Sequence, residues 1–277
     1  MKKRSILITG CSSGIGYCVA HGLQERGYRV FASARNQVDV DRLNAEGLES
    51  LPLDLDQPAS IRSAVDDILE RTGGQLDAVF HNGAYGQPGA VEDLTRDVLR
   101  KQFETNLFGW HELTNLVLPV MRAQGHGRII YNSSVLGFVA MRFRGAYNSS
   151  KYALEGLVDT LRLELRGSNI HVSLIEPGPI ASRFRQNAFI AYRENIEPEK
   201  STHLEAYRRL ESRLEKEGPA VPFTLPPEAV LKRVVHALES RRPKDRYFVT
   251  FPTYLFAFLK RVLPGRWLDR IAGSAGG

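Results

Sequence analysis

The stretch Ser5-Ile6-Leu7-Ile8-Thr9-Gly10-Cys11-Ser12-Ser13-Gly14-Ile15-Gly16 decides the fold. Its apolar start reads as a buried strand over 5–9 that ends at Gly10, and a helical pattern then runs over 15–26, with Gly27 as its C-cap. Strand, glycine turn and helix in this order open a βαβ unit that binds a diphosphate. Glycines at 10, 14 and 16 permit a tight turn and a close approach of backbone N–H groups, and the helix N-terminus adds its positive dipole end. A glycine trio also fits a plain tight turn; its position straight after the first strand favours the diphosphate reading. Gly10, Ser12, Ser13, Gly14, Ile15 and Gly16 are therefore the first expected cofactor contacts.

Outward from this unit, short β-branched runs alternate with longer helical patterns, which implies a parallel sheet. Strands are expected over 29–34, 51–55, 76–80, 128–133 and 170–176, with helices from Pro58, over 97–124 and over 146–166. The expected fold is a doubly wound α/β (Rossmann) domain. After Pro177 the alternation stops: 180–225 is rich in charge and proline, with one helix around 203–216, and a long insertion of this kind usually serves as a functional lid. Pro227 starts another helix to about Ser240, and 247–250 reads as a seventh strand. The expected organisation over 1–277 is a single domain: a cofactor and catalytic core (1–182), a substrate lid (183–225), then C-terminal helices and a last strand (226–277).

Composition excludes several classes. The chain has 277 residues, 43% hydrophobic and 25% charged, which is globular rather than disordered. Two cysteines, Cys11 and Cys18, exclude a disulfide scaffold and a four-cysteine zinc site and suit a reducing, cytoplasmic setting; no metal is expected. The apolar run after Met1-Lys2-Lys3-Arg4 is too short for a signal peptide, and no run reaches a membrane span. The net charge of +6 falls entirely within 241–270, where eight basic residues face two acidic ones. That is not the basic stripe of a nucleic-acid-binding face, so no nucleic-acid partner is expected.

The second strand should carry the adenosine ribose at its end. An acidic residue there would favour NAD, but the chain has Ala34-Arg35-Asn36, and Arg35 can fork onto the 2′-phosphate that NADP alone carries. Asp54, read as ending the third strand before Leu55, is a weaker candidate for the adenine amino group. Tyr147 and Lys151 lie four apart on a helix and share a face, so an ammonium there should lower the phenol's pKa toward working pH. Ser134, ending the fifth strand, should converge on the same crevice.

With these pieces quoted, the chain resembles the short-chain dehydrogenases/reductases. Thr9 to Gly16, Asn106 in Phe103-Glu104-Thr105-Asn106, Ser133-Ser134, Tyr147-Asn148-Ser149-Ser150-Lys151 and Glu176 to Ser182 match in order and spacing. It is similar to the retinol and 17β-hydroxysteroid dehydrogenase-like subgroup, and within it to bacterial NADP-dependent aldehyde reductases. The resemblance implies that Tyr147 is the general acid, Lys151 binds the nicotinamide ribose, Ser134 hydrogen-bonds the substrate oxygen and Asn106 holds a relay water. It also implies cofactor contacts at Asn82 and Gly83 after the fourth strand. Pro177, Gly178, Ile180 and Ser182 would pass under the nicotinamide. The family's usual Asn-Asn-Ala-Gly is here His81-Asn82-Gly83-Ala84, so the permissive glycine has moved by one, and His81 reads as a structural replacement.

Phe184, Phe189, Tyr192 and Phe223 are candidates to line a pocket for a hydrophobic aldehyde or ketone, and each also fits ordinary core packing. The tail from Phe251 to Ile271 pairs aromatic with basic residues, which suits peripheral membrane contact as well as covering the fold or a subunit interface. Homo-oligomers are common in the family. The expected activity is NADP(H)-dependent reduction of a hydrophobic carbonyl compound. The rivals are a non-catalytic NADP(H) sensor, which would be expected to lack Tyr147 or Lys151, and a sugar-nucleotide epimerase, which spaces its glycines differently. The zinc-protease motif HExxH is absent from the sequence.

Overall fold

The apolar runs form seven parallel strands: β1 (Ser5–Ile8), β2 (Arg29–Ala34), β3 (Glu49–Pro52), β4 (Ala78–His81), β5 (Gly127–Asn132), β6 (Ile170–Glu176) and β7 (Arg246–Phe248). In this computed structural model, which describes residues 3–216, 218 and 221–275, they lie in one sheet in the order β3-β2-β1-β4-β5-β6-β7. The order reverses at β1, where Ile6 pairs with Val30 on one side and Ala78 on the other. Such a switch point opens a crevice at the strands' C-terminal ends.

Alternation along each strand sends neighbouring side chains to opposite faces. Leu7, Phe31, Val79 and Ile129 pack under α3 (Pro58–Thr72), α5 (Gly109–Gln124) and α6 (Gly145–Glu164), against residues such as Ile61, Trp110 and Val158. Ile6, Ile8, Val30 and Phe80 face α1 (Gly14–Glu25) and α9 (Glu228–Glu239) through Val19, Leu23 and Val234. Full burial of both faces explains why the strands read as continuous apolar runs. The sheet's layers are those expected of a doubly wound single domain.

Several boundaries differ from the sequence reading. The third strand ends at Pro52, not at 55, so Asp54 and Leu55 stand in the following loop. There Asp54 accepts from the Asp56 N–H at 3.1 Å, and its own N–H donates to Ser60 Oγ at 3.0 Å: a polar turn before Pro58 wins over strand propensity. The expected helix over 97–124 is α4 (Arg96–Phe103) and α5 joined by a π-helical turn over Glu104–Phe108. Two helices went unread, α2 (Gln37–Ala45) and α7 (Phe184–Asn195), whose polar sequences bury only two and three residues respectively.

Within 183–225, α7 packs on α8 (Leu204–Glu215) around Tyr192, Tyr207, Leu210 and Leu214, forming a small core of their own with Ala90. Residues 217, 219 and 220 of that segment, with 1, 2, 276 and 277, lie outside the described residues. The tail forms α10 (Phe251–Val262) and α11 (Gly265–Ala275). Among the described residues no helix is long and apolar enough to cross a membrane.

Candidate active site

The loop after β1 is built by close approach. A Cβ on Gly10 would stand 2.6 Å from Gly83 Cα, and one on Gly16 would stand 2.2 Å from the Gly10 oxygen. Gly10 and Gly14 also hold positive φ, +71° and +60°, which a side chain rarely tolerates. Gly83 is not in the left-handed region; a Cβ there would press on Leu55 Cδ1 at 3.1 Å and on the Gly10 nitrogen at 3.3 Å, so the shifted glycine of the His81-Asn82-Gly83-Ala84 loop answers a steric demand rather than a conformational one. Thr9 Oγ1 accepts from the N–H groups of Asn82 and Gly83, while Asn82 Nδ2 donates to the carbonyls of Thr9 and Gly10. Asn132 Nδ2 donates to Asn82 Oδ1 at 2.9 Å, so Asn82 braces the central strands where His81 does not.

The same loop is left ready for an anion. Ser13 precedes α1 in an extended conformation without a side-chain cap, and no acidic residue occupies the first turn, so Ser12, Ser13, Gly14, Ile15 and Gly16 present N–H groups with no protein anion against them. A Cβ on Gly14 would meet Ser182 Cβ at 2.9 Å, which brings the segment after β6 across the loop. That segment is itself tight: a Cβ on Gly178 would lie 2.2 Å from Thr250 Oγ1. Pro177 accepts from Val135 N–H at 2.8 Å, and Ile180 pairs with Leu225. Arg35 is exposed at the end of β2. Arg42, which the sequence reading missed, donates to the Ser12 carbonyl at 2.8 Å and stacks over Tyr17, tying α2 to the loop. These residues fit a dinucleotide with its diphosphate on α1.

Ser134, Tyr147, Lys151 and Asn106 converge at the ends of β5 and the start of α6. Ser134 Oγ accepts from Leu136 N–H at 3.1 Å and is a hydrogen-bond partner of the Tyr147 hydroxyl. Lys151 Nζ donates to the Asn132 carbonyl at 2.8 Å and lies 4.2 Å from the Trp110 ring centroid and 5.7 Å from that of Tyr147. Asn106 sits in the π turn, a frequent mark of functional sites. Its Nδ2 donates to the Tyr85 carbonyl and to Ser150 Oγ, and its Oδ1 accepts from Tyr85 N–H. Trp110 was not read from the sequence, although it stands four residues after Asn106 on the same helical face; its Nε1 donates to the Gly83 carbonyl at 2.9 Å.

Protonation departs from the expectation that Lys151 pulls the phenol down. Burial pushes Tyr147 up to about 12, opposed by the bond to Ser134, and burial pushes Lys151 down to about 7, opposed by Glu155. Desolvation acts on both groups and outweighs their mutual effect. The phenol is therefore held as a proton donor. His81 is wholly buried, stacked 4.5 Å from Tyr131, and burial followed by Lys151 pushes it down to about 3. Thr114 Oγ1 has one proton and gives it to the Trp110 carbonyl, so the Tyr131 hydroxyl and His81 Nε2–H must donate to it. His81 is thus a neutral ring in the sheet's packing.

Behind Ser134 lies a buried charge cluster. Ser133 Oγ donates to Glu155, and Arg246 on β7 bonds Glu155, Glu176 and Asp159. Glu176 is wholly buried and pushed up to about 8, by burial and then by Glu155.

Of the proposed pocket aromatics, Phe184 reaches the reacting residues, its ring edge-on to Tyr147 at 5.2 Å. Phe189 and Tyr192 stack on each other within the α7–α8 core, and Phe223 lies at the surface, 5.1 Å from Phe251. Another concavity, lined by Arg4, Tyr28, Asp77 and Arg128, opens at the strands' opposite ends and holds none of these groups.

Comparison with known proteins points to one family of oxidoreductases. Residues 4–192 match the family model described as short chain dehydrogenase. The chain is 43% identical over 269 residues to the uncharacterized oxidoreductase YbbO of Escherichia coli (strain K12), covering 97% of this chain and 94% of the relative. It is 30% identical to the NADPH-dependent 3-dehydrocapnine reductase of Ornithobacterium rhinotracheale, covering 97% and 95%. A solved short-chain dehydrogenase from Streptomyces avermitilis superposes with a TM-score of 0.80 at 28% identity, covering 94% of each chain.

Proposed function

The chain belongs to the short-chain dehydrogenase family of oxidoreductases, and from that premise we propose that it reduces a hydrophobic aldehyde or ketone to the alcohol with NADPH. The observation that carries the reading is the meeting of Ser134, Tyr147 and Lys151 in one buried crevice beside an uncapped glycine loop. When bound, the nicotinamide supplies the hydride. Tyr147, held protonated by burial, gives its phenolic proton to the carbonyl oxygen as charge develops there. Ser134 donates a second hydrogen bond to the same oxygen and lowers the energy of the alkoxide-like state. Lys151, anchored on the Asn132 carbonyl and the Trp110 face, holds the ribose and keeps a positive field near the phenol. Asn106 fixes the π turn against Tyr85 and carries the relay water.

The remaining cofactor contacts follow the crevice. Gly10, Ser12, Ser13, Gly14, Ile15 and Gly16 hold the diphosphate; Arg35 takes the 2′-phosphate; Asp54 and Leu55 meet the adenine. Asn82, Gly83, Pro177, Gly178, Ile180 and Ser182 enclose the nicotinamide half. Two features support NADP over NAD: the exposed guanidinium at the end of β2 and the NADPH dependence named for the dehydrocapnine reductase. Residues 183–225 act as the substrate lid, with Phe184 over Tyr147. The two free thiols, one of them buried, suit the cytoplasm. The test is oxidation of NADPH and of NADH with medium- and long-chain aldehydes, retinal and a ketosteroid. Turnover with NADPH at least about tenfold above NADH is expected from a fork on the phosphate. Tight NADPH binding without turnover of any carbonyl would favour the sensor reading instead.

The surface supports two contacts. The shallow apolar groove of Leu107, Phe108, Ala153 and Leu157 is the face we assign to a second copy. On α10, Thr253 and Phe256 point inward, while Phe251, Tyr254, Leu255, Phe258 and Val262 form an exposed stripe at helical spacing. The same two helices carry Lys260, Arg261, Arg266 and Arg270 and one acidic residue, Asp269. A two-fold contact would set this positive face against itself, whereas an anionic lipid surface complements it, so we assign α10 to a membrane surface.

A further inference from the structure

We infer that Gln102 is a positioning residue for Asn106, acting through the backbone of Tyr85; the inference rests on the proposed role of Asn106 as holder of the relay water. α4 buries a single side chain along its length, and that side chain is the amide of Gln102, which is wholly buried. Packing alone would set an apolar residue at such a position, because a buried amide costs free energy unless its polar atoms are bonded. Here both ends are bonded. Gln102 Oε1 accepts from Gln87 N–H at 2.7 Å, and its Nε2 donates to the Tyr85 carbonyl at 2.9 Å.

The Tyr85 carbonyl receives a second donor, Asn106 Nδ2, also at 2.9 Å, while Asn106 Oδ1 accepts from Tyr85 N–H at 3.2 Å. A carbonyl oxygen has two lone pairs, and two amides four residues apart fill them. Residues 82–88 form neither strand nor helix, so side chains must satisfy the backbone that a ladder would otherwise pair. Gln102 thus fixes the same residue whose N–H and carbonyl hold both ends of the Asn106 side chain.

The loop that Gln102 holds lies against the reacting residues and the lid. A Cβ on Gly86 would stand 2.8 Å from Phe184 Cζ and 3.6 Å from Tyr147 Cδ2. Asn195 of α7 donates to Gln87 Oε1 at 3.0 Å, and Ala90 N–H donates to the Tyr207 hydroxyl of α8 at 2.8 Å. On the other side, Asn106 Nδ2 donates to Ser150 Oγ at 3.3 Å, and Ser150 Oγ donates to the Tyr147 carbonyl at 2.8 Å. Both ends of the Gln102 amide are spent on the loop, so its influence on the chemistry passes through Tyr85. A buried polar network keeps one geometry while every member is bonded. Without Gln102, the Tyr85 carbonyl loses one of its two donors and the Gln87 N–H loses its acceptor.

The test reads amide hydrogen exchange by NMR, and turnover of decanal with NADPH, in the full-length protein. It compares the wild type, Gln102→Met, Asn106→Ala and the double variant; methionine keeps the length of glutamine without its bonds. In Gln102→Met, exchange should quicken about tenfold or more at Tyr85 N–H, which Asn106 holds, as well as at Gln87 N–H, which Gln102 holds. Faster exchange at Gln87 alone would overturn the inference. The kcat of Gln102→Met should fall about ten- to a hundredfold, with NADPH affinity kept within about a factor of two. The double variant should be no slower than Asn106→Ala, as expected of residues that act through one another. Losses that multiply, a wild-type kcat in Gln102→Met, or NADPH affinity that falls in step with kcat would each overturn the inference. If Gln102→Met does not fold, Gln102→Glu should exchange at Tyr85 like the wild type while its carboxyl is protonated, and faster than the wild type at the same pH once it ionises and can no longer donate. Equal exchange at every pH would overturn the inference. Quickened exchange at Tyr85 in a protein whose wild type reduces no carbonyl compound would keep the link from Gln102 to Asn106 and overturn the reductase reading.

Discussion

The crevice over residues 9–182 and the region over 183–275 solve different problems. In the first, backbone meets backbone: Gly10 against Gly83, Gly16 against the Gly10 carbonyl and Gly14 against Ser182 leave no room for a Cβ. Thr9, Asn82 and Asn132 then lock the contacts with hydrogen bonds. In the second, Gly265 and Gly273 meet nothing within 4 Å, and large side chains such as Phe258 (62% exposed) and Trp267 (57%) face outward. A dinucleotide is one fixed shape and demands one backbone. The apolar carbonyl compounds proposed as substrates would demand only a surface of the right chemistry.

The contrast breaks first at the glycines. Gly16→Ala should destabilise the protein by about 1–3 kcal/mol, as overpacking does, and abolish tight NADPH binding. Gly273→Ala, with open space around it, should leave stability unchanged or raise it by up to about 1 kcal/mol. Urea unfolding with NADPH titration checks both; equal effects would remove the distinction.

That difference also governed what could be read. Gly10, Gly14 and Gly16 are visible because no other residue fits them, and Tyr147 and Lys151 because the site requires those functional groups at one helical spacing. Trp110 escaped because a tryptophan on an amphipathic helix reads as core, which it also is. α7 escaped because its apolar face is short and packs on α8 rather than on the sheet. The third strand ended three residues early because hydrogen bonds of the Asp54 turn, not apolar pattern, set its limit. The sign of the Tyr147 and Lys151 shifts needed burial, which spacing alone does not reveal.

A smaller effect tests the charge cluster that joins the two regions through Arg246. Glu176 is raised from 4.5 to about 8, so the native state holds a proton that the unfolded chain releases. Its contribution is complete below the unfolded value and is lost as pH rises through about 8. Glu176→Gln should therefore flatten the fall of stability with pH between those limits, measured by denaturant midpoint. An unchanged slope would show that Glu176 is ionised in the native state.

The smallest expected effect lies on α10. Phe258→Ser should weaken co-sedimentation with phosphatidylserine-rich vesicles several-fold, in keeping with the loss of about 1 kcal/mol of partial apolar burial. It should not alter turnover of a short water-soluble aldehyde. Wild-type protein that ignores such vesicles at low salt would contradict a lipid-facing role.

The central claim is that Tyr147 donates the proton in an NADPH-dependent reduction. The most direct measurement is turnover and NADPH affinity of Tyr147→Phe beside the wild type. The account predicts NADPH affinity within about a factor of two and a rate lower by about a hundred- to ten-thousandfold, the range for removing a general acid. A Tyr147→Phe enzyme that binds NADPH and still turns over at the wild-type rate would contradict it.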